Sequence, residues 1–314
     1  MIVLGIDTSC YTTSVAAADA SGVLCSNRQL LPVAPGARGL RQSEAVFAHI
    51  RQLPDLYEKT METVRAHGKV DAVCVSASPR DAEESYMPVF LSGLSFARVA
   101  AATLNVPLMQ TTHQRGHVRA ALEDSGLTSE KYLAVHLSGG TTEVLLMQGD
   151  QLSLLAGTRD LHAGQLIDRI GVKMGLPFPA GPYMEKLAAQ GRAQSLLSVS
   201  MKDMDCHFSG AENKAMQLIE QGDMPQEDIA AEVFSLVERT VLRMLTRAAE
   251  KTGVNDVLLT GGVASSQLLR DQLQEINQKR RMGLHLHFGQ CQYAGDNAAG
   301  VALIGRDRLQ EGMK

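Results

Sequence analysis

Ile2-Val3-Leu4-Gly5-Ile6-Asp7-Thr8-Ser9 opens the chain with an apolar run that ends on small polar residues. The construction returns as Tyr132-Leu133-Ala134-Val135-His136-Leu137-Ser138-Gly139-Gly140, and again as Asp256-Val257-Leu258-Leu259-Thr260-Gly261-Gly262. Short, nearly continuous apolar runs bounded by turn formers read as buried strands. Glycine or a small hydroxyl residue at a strand end lets backbone N–H groups approach an anion, and a following helix N-terminus adds positive potential. One such Gly-Gly describes a plain turn. Three at equivalent places describe a set of phosphate loops.

Working outward, each of the first two runs leads into two more strand patterns. Residues 12–18 and 23–27 turn at Asp19-Ala20-Ser21-Gly22, and residues 142–147 and 151–156 turn at Gly149-Asp150. Strands at 71–77 and 106–110 then alternate with helices at 43–67 and 88–104, where Pro54 is expected to kink or break the first helix. A loop with Pro32, Pro35, Gly36 and Gly39 fills residues 30–40. In the second half, helices at 163–174, 183–190, 210–221 and 226–251 precede the third strand-and-glycine segment. A helix to about residue 278, a strand at 284–288 and a final helix opened by Asp296 complete the chain. The duplicated pattern predicts two related α/β domains facing across a cleft, residues 1–125 with 296–314 and residues 126–295. Three phosphate loops in that frame predict the nucleotide cleft of the actin, sugar kinase and Hsp70 superfold.

Composition bounds the function. The 314 residues suit two domains, and 45% hydrophobic with 20% charged residues is ordinary for a globular protein. No stretch approaches the roughly 18 apolar residues of a membrane span. The N-terminus meets Asp7 at once and lacks a basic region, so it reads as a strand and not a signal peptide. Five cysteines without Cys-x-x-Cys spacing fit reduced thiols and a cytoplasmic setting better than a disulfide frame. A net charge of −4 gives no global basic footprint for nucleic acid, although Arg115, His117 and Arg119 cluster locally, as do Lys279, Arg280 and Arg281.

His113 and His117 stand four residues apart, so on a helix both imidazoles share one face and reach one metal. The same spacing also describes an exposed helix face. Gln114 stands where a zinc protease carries the glutamate that activates water, so peptide hydrolysis is not expected. Near the far end, Asp296 is either a third ligand or a cap for the last helix, or both.

These pieces form a collinear set: Gly5-Ile6-Asp7-Thr8-Ser9-Cys10, His113-x-x-x-His117, Leu137-Ser138-Gly139-Gly140, Leu166-Ile167-Asp168-Arg169, Phe178-Pro179-Ala180-Gly181-Pro182, Phe208-Ser209-Gly210, Thr260-Gly261-Gly262-Val263 and Gly295-Asp296-Asn297. Over nearly the whole chain the set resembles the TsaD family of tRNA N6-adenosine threonylcarbamoyltransferases. The resemblance implies transfer of threonylcarbamoyl from threonylcarbamoyl-AMP to N6 of the adenosine beside the tRNA anticodon. It implies one divalent metal, iron or zinc, on His113, His117 and Asp296. An adenine nucleotide or threonylcarbamoyl-AMP would lie against His136, Leu137, Ser138, Gly139, Gly140, Asp168, Gly181, Glu185 and Ser266. Asp7, Ser9, Gly261 and Gly262 complete the phosphate loops. No residue is assigned as catalytic. The resemblance also implies TsaB-like and TsaE-like partners and tRNA bound through a complex.

The chain departs from the family at several places. Tyr11 and Thr12 replace an acidic pair, Thr141 replaces a histidine, Ser266 replaces an asparagine, and a polar run at 80–85 replaces a glycine-rich one. An alternative expectation is therefore a non-catalytic, nucleotide-binding paralogue that scaffolds or regulates a tRNA-modification complex. A small-molecule kinase of the same superfold is a third, since such kinases bind magnesium mainly through carboxylates and phosphates.

Overall fold

A computed structural model describes residues 1–9, 11–32, 40–82 and 84–312. The chain divides into two compact units, Met1–Glu123 with Gly295–Lys314, and Asp124–Ala294. Most of the loop expected at 30–40 lies outside the described residues.

The first unit runs β1 (Ile2–Thr8), β2 (Thr12–Asp19), β3 (Gly22–Leu30), α1 (Gln42–His67), β4 (Ala72–Ser78), α2 (Val89–Leu104), β5 (Leu108–Thr112) and α3 (His113–Leu122). Its sheet has the order β3-β2-β1-β4-β5. The β1–β2 and β2–β3 pairs are antiparallel, and β1–β4 and β4–β5 are parallel. Strand alternation sorts β1 between two layers. Ile2, Leu4 and Ile6 join Leu53, Leu56 and Val64 of α1 and Ala97 and Ala101 of α2 in one core. Val3 instead joins Cys74 and Val301 on the other face.

The second unit runs β6 (Lys131–Leu137), β7 (Thr142–Gln148), β8 (Gln151–Gly157), α4 (Ala163–Lys173), α5 (Gly181–Ala188), β9 (Ser200–Lys202), β10 (Asp205–His207), α6 (Ser209–Gln221), α7 (Gln226–Thr252), β11 (Asp256–Thr260), α8 (Gln267–Lys279) and β12 (His285–Phe288). Its sheet order, β12-β11-β6-β7-β8, repeats that of the first unit with the same parallel and antiparallel pairs. The central helix α7 buries Val233, Phe234, Val237, Val241 and Leu245 in the core with Leu133, Val135 and Leu137 of β6. Full burial of a side chain such as Phe234 contributes about 2–3 kcal/mol. The last helix, α9 (Ala299–Glu311), returns to the first unit.

This is the duplicated α/β fold that the strand-and-glycine segments imply. Three local expectations differ from the structure. Pro54 does not break α1, which runs on through it, because a proline removes one ladder bond while the buried face of the helix keeps its packing. The segment after Gly262 is a short 3-10 turn over Val263–Ser265, and α8 starts only after Ser266, whose hydroxyl accepts from the Leu269 N–H. The final helix starts at Ala299, three residues after Asp296.

Candidate metal centre and ligand pocket

The metal candidates lie in the first unit. Strand β5 leads straight into α3, and Thr112 caps that helix by accepting from the Arg115 N–H, which makes His113 the first helical residue. His117 follows one turn later, and the two rings meet edge to face with centroids 4.5 Å apart. At the other end of the chain, Asn297 Oδ1 accepts from the Ala299 N–H at the start of α9. Asn297, one residue before the N-cap Ala298, thus supplies the side chain at the helix start, and the carboxylate of Asp296 turns to other partners.

Close packing of α3 on α9 supports this arrangement. A Cβ at Gly300 would lie 1.8 Å from the carbonyl oxygen of Gly116, so only glycine allows the crossing. Asp296 Oδ1 lies 3.2 Å from Nε2 of His117 and 3.5 Å from Nε2 of His113. The two Nε2 atoms are 3.0 Å apart. Ligands of a tetrahedral zinc with bonds of about 2.0–2.1 Å stand roughly 3.3 Å from one another, so this triangle has the size of a coordination face. Two imidazoles and one carboxylate are also the donor set of non-haem ferrous sites. Among the described residues, this is the one group of three such ligands.

Groups behind the triangle orient it. Nδ1 of His113 is 3.0 and 3.1 Å from the carboxylate oxygens of Asp7, which is fully buried and also receives the Ser76 hydroxyl. Ser9 Oγ donates to Asp296 Oδ2 at 2.7 Å, so Oδ1 is the oxygen turned toward the histidines. Burial disfavours charge on His113, but the Asp7 and Asp296 carboxylates outweigh it and raise its pKa well above the ordinary histidine value. Burial likewise opposes charge on Asp296, and the two imidazoles outweigh it and hold its carboxyl well below the usual range. Gln114 is buried and its N–H donates to Pro79, so no carboxylate follows His113.

The second unit carries a cavity of about 480 Å³. Of the residues expected at a nucleotide, Gly139, Asp168, Gly181, Glu185, Gly262 and Ser266 line it. Asp168 Oδ1 accepts from the Ala180 N–H at 2.7 Å, and burial raises its pKa while the Ala180 and Gly181 N–H groups pull it back. Its neighbour Arg169 pairs with Glu212 and leaves Asp168 to the cavity. Glu185 Oε1 accepts from the Leu268 N–H in the first turn of α8. The loop after β6 passes directly over α4, where a Cβ on Gly164 would lie 2.7 Å from the backbone of Ser138 and Gly139.

The remaining expected residues fall elsewhere. Leu137 is packed into the core, and His136 pairs with Thr260 across the β6–β11 ladder. Ser138, Gly140 and Gly261 flank lining residues without lining the cavity themselves. Asp7 and Ser9 sit behind the histidines and Asp296. Sequence reasoning did not identify Ser76 behind Asp7, or Ile167, Pro182, Phe234 and Val263 in the cavity wall. The period-2 alternation of β1 carried a signal for Asp7, since it puts that residue on the face of Val3 and Gly5, toward α9.

Comparison with known proteins gives the family and the fold. The family model TsaD, tRNA N6-adenosine threonylcarbamoyltransferase, matches residues 34–303. A tRNA N6-adenosine threonylcarbamoyltransferase of Methanopyrus kandleri is 30% identical over 309 residues, 97% of this chain and 87% of its own length. In fold, the chain is similar to T. kodakarensis HypF (TM-score 0.68, 15% identity, 99% of this chain), spanning 48% of that structure's length. It is also similar to a ROK family glucokinase from Streptomyces griseus, solved with glucose and AMPPNP (TM-score 0.55, 12% identity, 98% of this chain and 100% of that one). With its motifs, its duplicated sheets and a match over most of its length, the chain belongs to the TsaD family of tRNA N6-adenosine threonylcarbamoyltransferases.

Proposed function

We propose that the chain transfers a threonylcarbamoyl group from threonylcarbamoyl-AMP to N6 of the adenosine beside the tRNA anticodon, with one divalent ion, iron or zinc, on His113, His117 and Asp296. The observation that carries this reading is the convergence of two Nε2 atoms and one carboxylate oxygen within 3.0–3.5 Å, in a member of this family. In the reaction N6 attacks the carbamoyl carbon, the bond from that carbon to the phosphate oxygen breaks, AMP leaves with the bonding pair, and the N6 proton passes to solvent. A bound ion supplies Lewis acidity against the negative charge that develops on the reacting oxygens. Asp7 accepts the Nδ1 proton of His113 and so presents Nε2 as a lone-pair donor. Ser9 fixes which oxygen of Asp296 faces the imidazoles.

The cavity of the second unit holds the adenylate in this reading. Asp168 accepts from a ribose hydroxyl, as acidic residues do at other nucleotide sites. Ile167, Pro182, Phe234 and Val263 offer an apolar wall for the base, and Gly139 and Gly262 let backbone approach phosphate. AMPPNP in the glucokinase of the same fold supports an adenine nucleotide. With a net charge of −4, tRNA binds through a complex in which TsaB-like and TsaE-like proteins take part. No described helix is long and apolar enough to cross a membrane, and the reading places the reaction in the cytoplasm.

A second reading, a non-catalytic paralogue that binds nucleotide and scaffolds the complex, draws on Thr141. By the family resemblance it stands at a position usually held by a histidine, and its carbonyl accepts from the Ser138 N–H at 2.8 Å to close the loop. Threonylcarbamoyl-AMP, an unmodified tRNA transcript and the candidate partners, followed by mass analysis of nucleosides, separates the two. The modified adenosine is the expected product. Nucleotide binding without any modified base, under every partner combination, supports the scaffold instead.

A further inference from the structure

A buried polar chain leads from α1 to the metal centre. Gln52 Nε2 donates to the Leu30 carbonyl at 3.1 Å, and Gln52 Oε1 lies 2.6 Å from Thr13 Oγ1. The same hydroxyl lies 2.7 Å from Nδ1 of His49, whose Nε2 donates to the Ser9 carbonyl at 2.8 Å, so the one Thr13 proton serves either Gln52 Oε1 or Nδ1 of the neutral ring. The Ser9 side chain in turn donates its hydroxyl hydrogen bond to Asp296 Oδ2. His49 and Thr13 are completely buried, and Gln52 is nearly so. Burial of so many polar groups costs stability unless they are held against one another, so these side chains keep a fixed geometry.

The position of Ser9 depends on this chain. Its N–H donates to the Thr12 carbonyl at 3.2 Å within the turn, while its own carbonyl is held from outside by His49. An error of about 1 Å in the Ser9 hydroxyl would turn the Asp296 carboxylate away from the triangle it forms with the two Nε2 atoms, and hydrogen bonds weaken steeply over such a displacement. Burial lowers the pKa of His49, against the pull of the Ser9 carbonyl and Asp7.

We propose that His49 is a positioning residue for the metal centre: by holding the Ser9 carbonyl, with Thr13 fixing its ring, it sets the Ser9 hydroxyl that orients Asp296. The proposal rests on the metal reading given above and adds to it residues on α1 and β2 that touch neither metal nor substrate.

Co²⁺ titration of the full chain, read by its visible absorption bands and by competition with a chelator, tests it. Outer partners of metal ligands commonly contribute 10–100-fold to affinity. His49→Ala and Thr13→Val are expected to weaken Co²⁺ binding about tenfold and to change the band intensity, and His49→Gln, which keeps a donor near Ser9, to restore part of both. Thr60→Val is the control. Thr60 is fully buried on the same helix and bonds to Leu56 and Val15, away from Ser9, so its loss lowers the melting temperature without touching the spectrum. Native-like Co²⁺ affinity in His49→Ala, or an equal loss in Thr60→Val, overturns the positioning role. His117→Ala must leave only a small residual uptake. A native chain that takes up no Co²⁺ overturns the metal reading itself and this proposal with it.

Discussion

Asp7 Oδ1 stands 3.0 Å from Nδ1 of His113, on the side of the ring away from the Nε2 atom that faces Asp296. A carboxylate on one ring nitrogen fixes the tautomer and leaves the other nitrogen as a lone-pair donor. Asp7→Asn should keep the fold, because the amide oxygen still receives the Ser76 hydroxyl, and should weaken metal binding about 10–100-fold. Chelator competition measures this directly. An affinity equal to that of the native chain would show that Asp7 does not orient His113.

The metal-free centre should behave as an ion-pair cluster. The raised pKa of His113 contributes stability that is complete below about pH 6.5 and is lost as pH rises through its elevated value. The lowered pKa of Asp296 contributes stability above about pH 3.8 that is lost as pH falls through its depressed value. The melting temperature of chelated protein should therefore decline toward alkaline pH, more steeply than in His113→Gln, and metal uptake should release protons. A parallel pH profile in the two proteins would argue against the cluster.

Asp168→Asn keeps an oxygen for the Ala180 N–H, so the cavity wall should survive, while the acceptor for a ribose hydroxyl is weakened. AMP affinity should fall about tenfold, the magnitude of one charge-assisted hydrogen bond. Calorimetry with AMP and with adenine alone checks the assignment, since only AMP carries the ribose. Equal losses for both ligands would remove Asp168 from the ribose.

Glu238 on α7 is an acid that the fold does not pair. It is 6% exposed, its Oε1 has no hydrogen-bond partner among the described residues, and burial pushes its carboxyl up to about 7, against the pull of Arg239 and Arg280. A folded value above the unfolded one means that the folded state holds the proton more tightly, so stability falls as pH rises from about 4.5 to 7. Glu238→Gln should be more stable than the native chain by about 1–2 kcal/mol at pH 8 and nearly equal to it at pH 4. Urea unfolding at the two pH values gives the difference; a constant difference would mean that Glu238 does not titrate in this range.

The sheets were legible because β1, β6 and β11 are buried runs that end in small residues, and a strand interior of that kind leaves few other readings. The β9–β10 hairpin was not legible, since strands of three residues carry too little period to register. Helix α1 shows that a proline signal yields to tertiary packing when the buried face continues on both sides of it. At the candidate metal centre, the i,i+4 spacing places two imidazoles on one face, but nothing local tells which of Asp296 and Asn297 turns its side chain to the start of the last helix. That choice depends on the α3–α9 crossing at Gly116 and Gly300, which is a tertiary fact. The apolar side of the cavity was hidden for a related reason: Phe234 reads as one more core position of α7 until the loops around it are in place.

The central claim is that His113, His117 and Asp296 hold one metal ion. Elemental analysis of the chain, purified without chelator and compared with His117→Ala, tests it most directly. The account predicts about one iron or zinc per native chain and a small residual fraction in the variant, whose fold is intact by circular dichroism. Equal metal content in the two proteins, or none in the native chain after incubation with either ion, would contradict it.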